Sequence, residues 1–167
     1  KVEALTNKGQ TPLQLAIYSG SLDCVNELLK YGANPNVSTV HEKCTPLHLA
    51  CQKGFAQIAV ALVDHGANVN ALNVLNRTPL HMAAEAGRID IGKYLIAHGA
   101  DREALDVHGW SVRQIAELFN HRDFQELIIR ETMVEKQVII KELTVAECHS
   151  ELWFDVTRMQ AQRIEEL

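Results

Sequence analysis

An all-α stack of helix pairs is the fold expected of this chain. The expectation rests on a repeated phrase, a glycine behind each strong copy, and a second apolar segment behind each glycine. The phrase reads Thr11-Pro12-Leu13-Gln14-Leu15-Ala16, then Thr45-Pro46-Leu47-His48-Leu49-Ala50, then Thr78-Pro79-Leu80-His81-Met82-Ala83, with Thr-to-Thr spacings of 34 and 33. A weaker copy, Ser111-Val112-Arg113-Gln114-Ile115-Ala116, follows 33 residues later. Self-similarity at this period marks short units that cannot bury their apolar faces alone and do so against their neighbours.

Each part of the unit has a physical reading. The Thr hydroxyl can cap a helix N-terminus, and Pro is tolerated in the first turn because its missing N–H would be unpaired there anyway. Leu and Ala point into the stack, where the small Ala lets adjacent helices approach. Gly20, Gly54 and Gly87 then end the first helix, since Gly takes the left-handed cap conformation without strain. The second apolar segment carries Val25, Leu28 and Leu29, then Ile58, Ala61 and Leu62, then Ile91, Tyr94 and Leu95. These spacings describe one buried helix face. A second stop follows at Gly32-Ala33-Asn34, Gly66-Ala67-Asn68 and Gly99-Ala100-Asp101.

Taken together, the phrase, the paired glycines and the period closely resemble the ankyrin repeat. The resemblance runs over 1–131: residues 1–6 match the end of a preceding repeat, 7–39, 40–72 and 73–105 are full repeats, and 106–131 is a degenerate terminal one. It implies about four helix-turn-helix repeats with hairpin fingers. Val2-Glu3-Ala4-Leu5 aligns with Val69-Asn70-Ala71-Leu72, so the chain is expected to start mid-pattern, as a fragment. In the family's pattern the His of the phrase bonds neighbouring loops, a role that His48 and His81 fit, with Gln14 and Gln114 as polar substitutes. Asn36 and Asn70 sit where the family places an Asn in the hairpin. The sequence departs from the pattern in the fingers. Lys43 and Asn76 stand at the position of Gly9 and Gly109, which favours a left-handed backbone, and Asn tolerates that better than Lys. With one extra residue at the first junction, a reshaped finger is expected at Ser38–Lys43. Asn120 in a Gly position marks the fourth repeat as terminal.

Residues 132–167 do not match the repeat and are expected to form a C-terminal helical extension. The 58 residues 110–167 contain no Pro and no Gly. Val134, Val138, Lys141, Val145, Cys148, Leu152, Val156 and Met159 fall at steps of three or four, one stripe of a helix. Thr144-Val145-Ala146-Glu147 reads as a capping box that would start a new helix near 145.

Composition narrows the function. The chain has 167 residues, 47% hydrophobic and 5% aromatic, with a net charge of −5. There is no basic stripe for nucleic acid, no Lys/Arg run for an anionic membrane, and no run of 18 apolar residues to span one. Four cysteines without a Cys-x-x-Cys pair suit a reduced protein, intracellular and cytoplasmic. Cys24 and Cys51 are expected as small buried helix residues. His41-x2-Cys44-x3-His48 has a metal-like spacing but lacks a fourth ligand, and His48 belongs to the repeat. No catalytic residue, cofactor, metal or small-molecule substrate is expected, and so no enzyme.

The resemblance implies a non-catalytic protein–protein interaction module, a scaffold or adaptor that binds one or more proteins. It also places the variable, partner-facing positions on the finger tips and late in each first helix, on the concave face. Of these, Tyr18, Val74, Leu75, Arg77, Val107, His108 and Trp110 are the candidate partner-binding residues, with Trp153 and Phe154 in the extension as a second contact. Leu118 and Phe119 are apolar at such positions too but are expected to pack under the extension. Two further readings stay open: a regulatory or targeting module of a larger enzyme, and a structural subunit of a large, cytoskeletal assembly.

Overall fold

The computed structural model describes residues 5–6, 9–134, 137–139 and 141. The chain divides into two compact units, Lys1–Ile128 and Ile129–Leu167. Seven helices are named in the first: α1 (Pro12–Tyr18), α2 (Leu22–Lys30), α3 (Pro46–Lys53), α4 (Ala56–Asp64), α5 (Pro79–Glu85), α6 (Ile89–Ala97) and α7 (Val112–Leu118). Residues 122–128 form a further helical segment. Among the described residues the β pairing is one isolated antiparallel bridge, Leu105 with Ser111. In the second unit, the described residues 129–134, 137–139 and 141 are helical, while Trp153, Phe154 and the expected helix start near 145 lie outside the described residues.

The phrase forms the first helix of every repeat by one mechanism. Thr11, Thr45, Thr78 and Ser111 are N-caps, and each closes a reciprocal capping box with Gln14, His48, His81 or Gln114. Two orphan backbone donors are thereby satisfied in each first turn. At the other end, Gly54 caps α3 with φ 81°, and Gly20 and Gly87 take φ 69° and 65° just beyond α1 and α5. The second helices α4 and α6 end in His65 and His98, whose Nδ1 atoms each lie 2.8 Å from the carbonyl of Ala61 or Tyr94.

The helices stack in two rows. First helices α1, α3, α5 and α7 pack in succession, as do second helices α2, α4 and α6. Leu47, Leu62, Leu80 and Leu95 are wholly buried between the rows, and Ala50, Ala83 and Ala116 give close approach. The all-α repeat stack expected from the sequence is the fold the chain adopts.

Side chains then tie each repeat to the next. Asn36 donates to the Gly66 carbonyl at 3.0 Å and accepts from the Asn68 amide at 2.8 Å. One repeat later, Asn70 does the same with Gly99 and Asp101, at 3.0 and 2.8 Å. His48 accepts the Thr45 amide on Nδ1, which leaves the proton on Nε2 to donate to the Arg77 carbonyl at 2.9 Å. Gln14 makes its own tie, to the Val37 carbonyl at 3.0 Å. His81 departs from the expectation: its Nε2 is buried and finds no hydrogen-bond partner among the described residues. The Trp110 carbonyl that faces it opposes the fall in its pKa without reaching bonding geometry.

One burial expectation needs correction. Cys51 is buried, but Cys24 is exposed on α2. Cys24 stands where the inner repeats have Ile58 and Ile91, which are buried. Leu118 and Phe119 are exposed in the first unit, and most of the extension expected to cover them lies outside the described residues. They lie late in the fourth first helix, at positions where Tyr18, Ser19, Gln52 and Lys53 also face solvent.

Candidate functional site: the finger face

The fingers are backbone hairpins closed at their bases. The Asn73 amide donates to the Arg77 carbonyl at 3.1 Å, and the Asp106 amide to the Trp110 carbonyl at 3.0 Å. Inside each, one side chain organises the loop. Asn73 Oδ1 accepts from the amides of Leu75 and Arg77, and Asp106 Oδ1 from those of His108 and Trp110. Successive fingers are joined through their tips: the Val74 amide donates to the Glu42 carbonyl at 3.0 Å, and the Val107 amide to the Leu75 carbonyl at 2.9 Å.

The first junction shows the effect of its extra residue. There the closing bond runs from the Thr39 amide to the Cys44 carbonyl, five residues on instead of four, and Thr39 Oγ1 replaces the Asx acceptor. Lys43 still takes a left-handed φ of 51°, close to that of Asn76 at 52°. A lysine in that region is strained by its Cβ, whereas Gly9 and Gly109 are not.

Four apolar side chains stand out on the second and third fingers. Val74, Leu75, Val107 and Trp110 are 46%, 39%, 48% and 38% exposed. His108 is exposed beside them, and Tyr18 is exposed at the end of α1. Partial burial, the Glu42 carboxylate and Cys44 all push the Tyr18 hydroxyl above its ordinary pKa, which places Tyr18 against the first finger. Burial likewise raises the Cys44 thiol.

Arg77 is placed differently from the other candidates. Its guanidinium is mostly covered and bridges two carboxylates, with Nη1 2.6 Å from Glu85 Oε2 and Nε 3.2 Å from Asp106 Oδ2. The cluster links the second finger, α5 and the third finger. Burial alone would raise Asp106, but the amides of Trp110 and His108 and the Arg77 guanidinium outweigh it and hold the carboxyl below its usual value. Asp106 thus stays ionised, with bonds to both its oxygens. Sequence reasoning missed Asp106 and Asn73 as finger organisers. The signal was present in the recurrence of an Asx residue four positions before Arg77 and Trp110, 33 residues apart.

Comparison with known families agrees with this geometry. The chain matches ankyrin repeats (3 copies) over residues 38–106 and 69–138, and ankyrin repeats (many copies) over residues 2–50. No curated protein matches it closely enough to count as a relative. The chain belongs to the ankyrin-repeat family. Ankyrin repeats are in general protein–protein interaction modules, and proteins built from them are typically non-catalytic. Among the described residues, no helix is long and apolar enough to cross a membrane.

Proposed function

We propose that this chain is a scaffold or adaptor that binds a partner protein through its finger face. The observation that carries the reading is the exposed apolar set Val74, Leu75, Val107 and Trp110 on two bridged fingers. Large apolar side chains grouped around a Trp have the composition of an interface hot spot. The loops that present them are preformed by Asn73, Asp106 and the finger-to-finger bonds, so binding loses little ordering entropy.

Within this reading the residues divide by task. Leu75 and Trp110 anchor the partner, flanked by Val74 and Val107. Tyr18 and His108 form a polar-tipped rim. Arg77 acts indirectly, because its charge is already spent on Glu85 and Asp106, and it holds the two fingers in register. Trp153 and Phe154 are proposed as a second contact. The free thiols Cys24, Cys44 and Cys51 are in keeping with a reducing compartment inside the cell.

A quantitative pull-down from native extract tests this with three baits: the chain itself, a Leu75→Ala/Trp110→Ala variant, and a chain ending at Arg130. The finger variant should retain its thermal midpoint and lose its main partner by tenfold or more, about the effect of removing two hot-spot side chains. Undiminished capture by that variant, with loss only on truncation, would move the functional element to the extension.

A further inference from the structure

The fourth repeat is polar where the inner ones are apolar. Leu47, His48 and Cys51 are buried on α3, as are Leu80, His81 and Ala84 on α5. Their counterparts on α7 are Arg113, Gln114 and Glu117, all exposed. The finger of that repeat is built otherwise. It carries Val107 and Trp110, and its backbone repeats the loop of the finger before it. Asp106 organises it as Asn73 does the second finger, and Gly109 takes a φ of 76° where Asn76 takes 52°. Two successive junctions share one main-chain bond: the Glu42 carbonyl accepts from the Val74 amide, and the Leu75 carbonyl from the Val107 amide. His108 holds the place of Leu75, two residues beyond the Asx organiser. Among the described residues, the His108 carbonyl accepts no hydrogen bond.

We propose that the partner contributes an extended segment that adds to the finger ladder at this edge, its main chain donating an amide N–H to the His108 carbonyl. The inference rests on the finger-face reading and names the form of partner that face takes. Continuity with the ladder carries it: the edge presents the same acceptor, in the same loop, that Leu75 presents to Val107. An unpaired main-chain edge is a template for an added strand. The polar side chains of α7 separate a strand from a helix as the occupant. A helix packed there would strip water from Arg113 and Glu117, a cost that unpaired charges do not recover, whereas a strand along the finger leaves both in water. The donor residue at both existing junctions is Val, and a β-branched side chain suits an extended backbone. The segment therefore carries a β-branched residue at its donor position, with Val107 and Trp110 as apolar neighbours. The loop is already fixed by Asp106, so the ordering cost falls on the partner's segment alone.

The test selects binders from random linear peptides with the 1–167 chain as target, then resynthesises them with one N-methyl group at each backbone position in turn. Affinity should fall by about tenfold or more at one position, the one whose N–H meets His108. It should fall far less at the two neighbouring positions, whose N–H groups point the other way in an extended strand. Leu75→Ala/Trp110→Ala should weaken the same peptides by about tenfold or more. With isotope-labelled histidine carbonyls in the chain, the His108 resonance should move on saturation with peptide while those of the buried His48 and His81 stay. Peptides that tolerate every N-methyl group yet need Leu75 and Trp110 would overturn strand pairing and leave the finger face as the site. Peptides that bind the finger variant undiminished, or leave the His108 resonance unmoved, would overturn it by placing the strand elsewhere. A library without a binder would overturn it too, since strand addition needs no folded partner. Failure of the finger-face reading itself is read separately, from undiminished capture by the finger variant in the pull-down.

Discussion

The first helix pair and the second are built from almost the same words, yet they sit differently in the fold. Leu15 and Leu49 follow the same Thr-Pro-Leu start, and Thr11 and Thr45 close the same capping box. Leu49 is buried with α1 packed on its helix, whereas Leu15 is 42% exposed among the described residues. Cys24 and Ile58 differ in the same way. Burial in a stack is therefore a property of the neighbour as much as of the residue. The polar link differs too: His48 donates to the Arg77 carbonyl at 2.9 Å, while Gln14 uses an amide to reach the Val37 carbonyl at 3.0 Å.

The largest expected effect tests the burial difference directly. Leu49→Ala should lower the free energy of unfolding in urea by about 3 kcal/mol, the cost of a core truncation with its cavity. Leu15→Ala should cost under about 1 kcal/mol in the 1–167 chain, as for a half-exposed site. Similar losses at the two sites would break the comparison.

A smaller effect separates the histidine junctions from the glutamine one. Burial holds the His48 and His81 rings below their ordinary pKa. The folded state then binds fewer protons than the unfolded state, so both contributions are intact above pH 6.5 and are lost as the pH falls below it. Protonation would also remove the Nδ1 acceptor from each capping box. A His48→Gln/His81→Gln chain should show a flatter fall in thermal midpoint between neutral and mildly acidic pH, because Gln14 shows that Gln sustains the box. An unchanged acid slope would locate the sensitivity elsewhere.

The smallest effect sharpens the comparison of fingers. Lys43→Gly relieves a left-handed lysine but loosens the unfolded chain, for a net gain of about 0.5 kcal/mol by scanning calorimetry. Asn76→Gly should gain less, since Asn adopts that backbone more readily.

Most of the scaffold was legible because it is local. Thr caps, Pro in the first turn, Gly at a left-handed stop and the Asn36 and Asn70 staples recur at the repeat period, and each acts within a turn or one repeat of itself. On the finger face, the apolar tip positions Val74, Leu75 and Trp110 were legible as exposed residues, whereas the ion pairs of Arg77 were not. Only the fold brings Glu85 and Asp106 to its guanidinium, from positions 8 and 29 residues further along the chain.

By itself, then, the sequence determined the repeat, its period, the helix ends and the family, because those depend on backbone conformation and on side chains bonding close to home. Tertiary structure decided which identical positions are covered, which histidine finds its carbonyl, and which charges are already paired. Those outcomes depend on what the neighbouring repeat places opposite, and for Leu15, Cys24 and His81 that differs from what their counterparts meet.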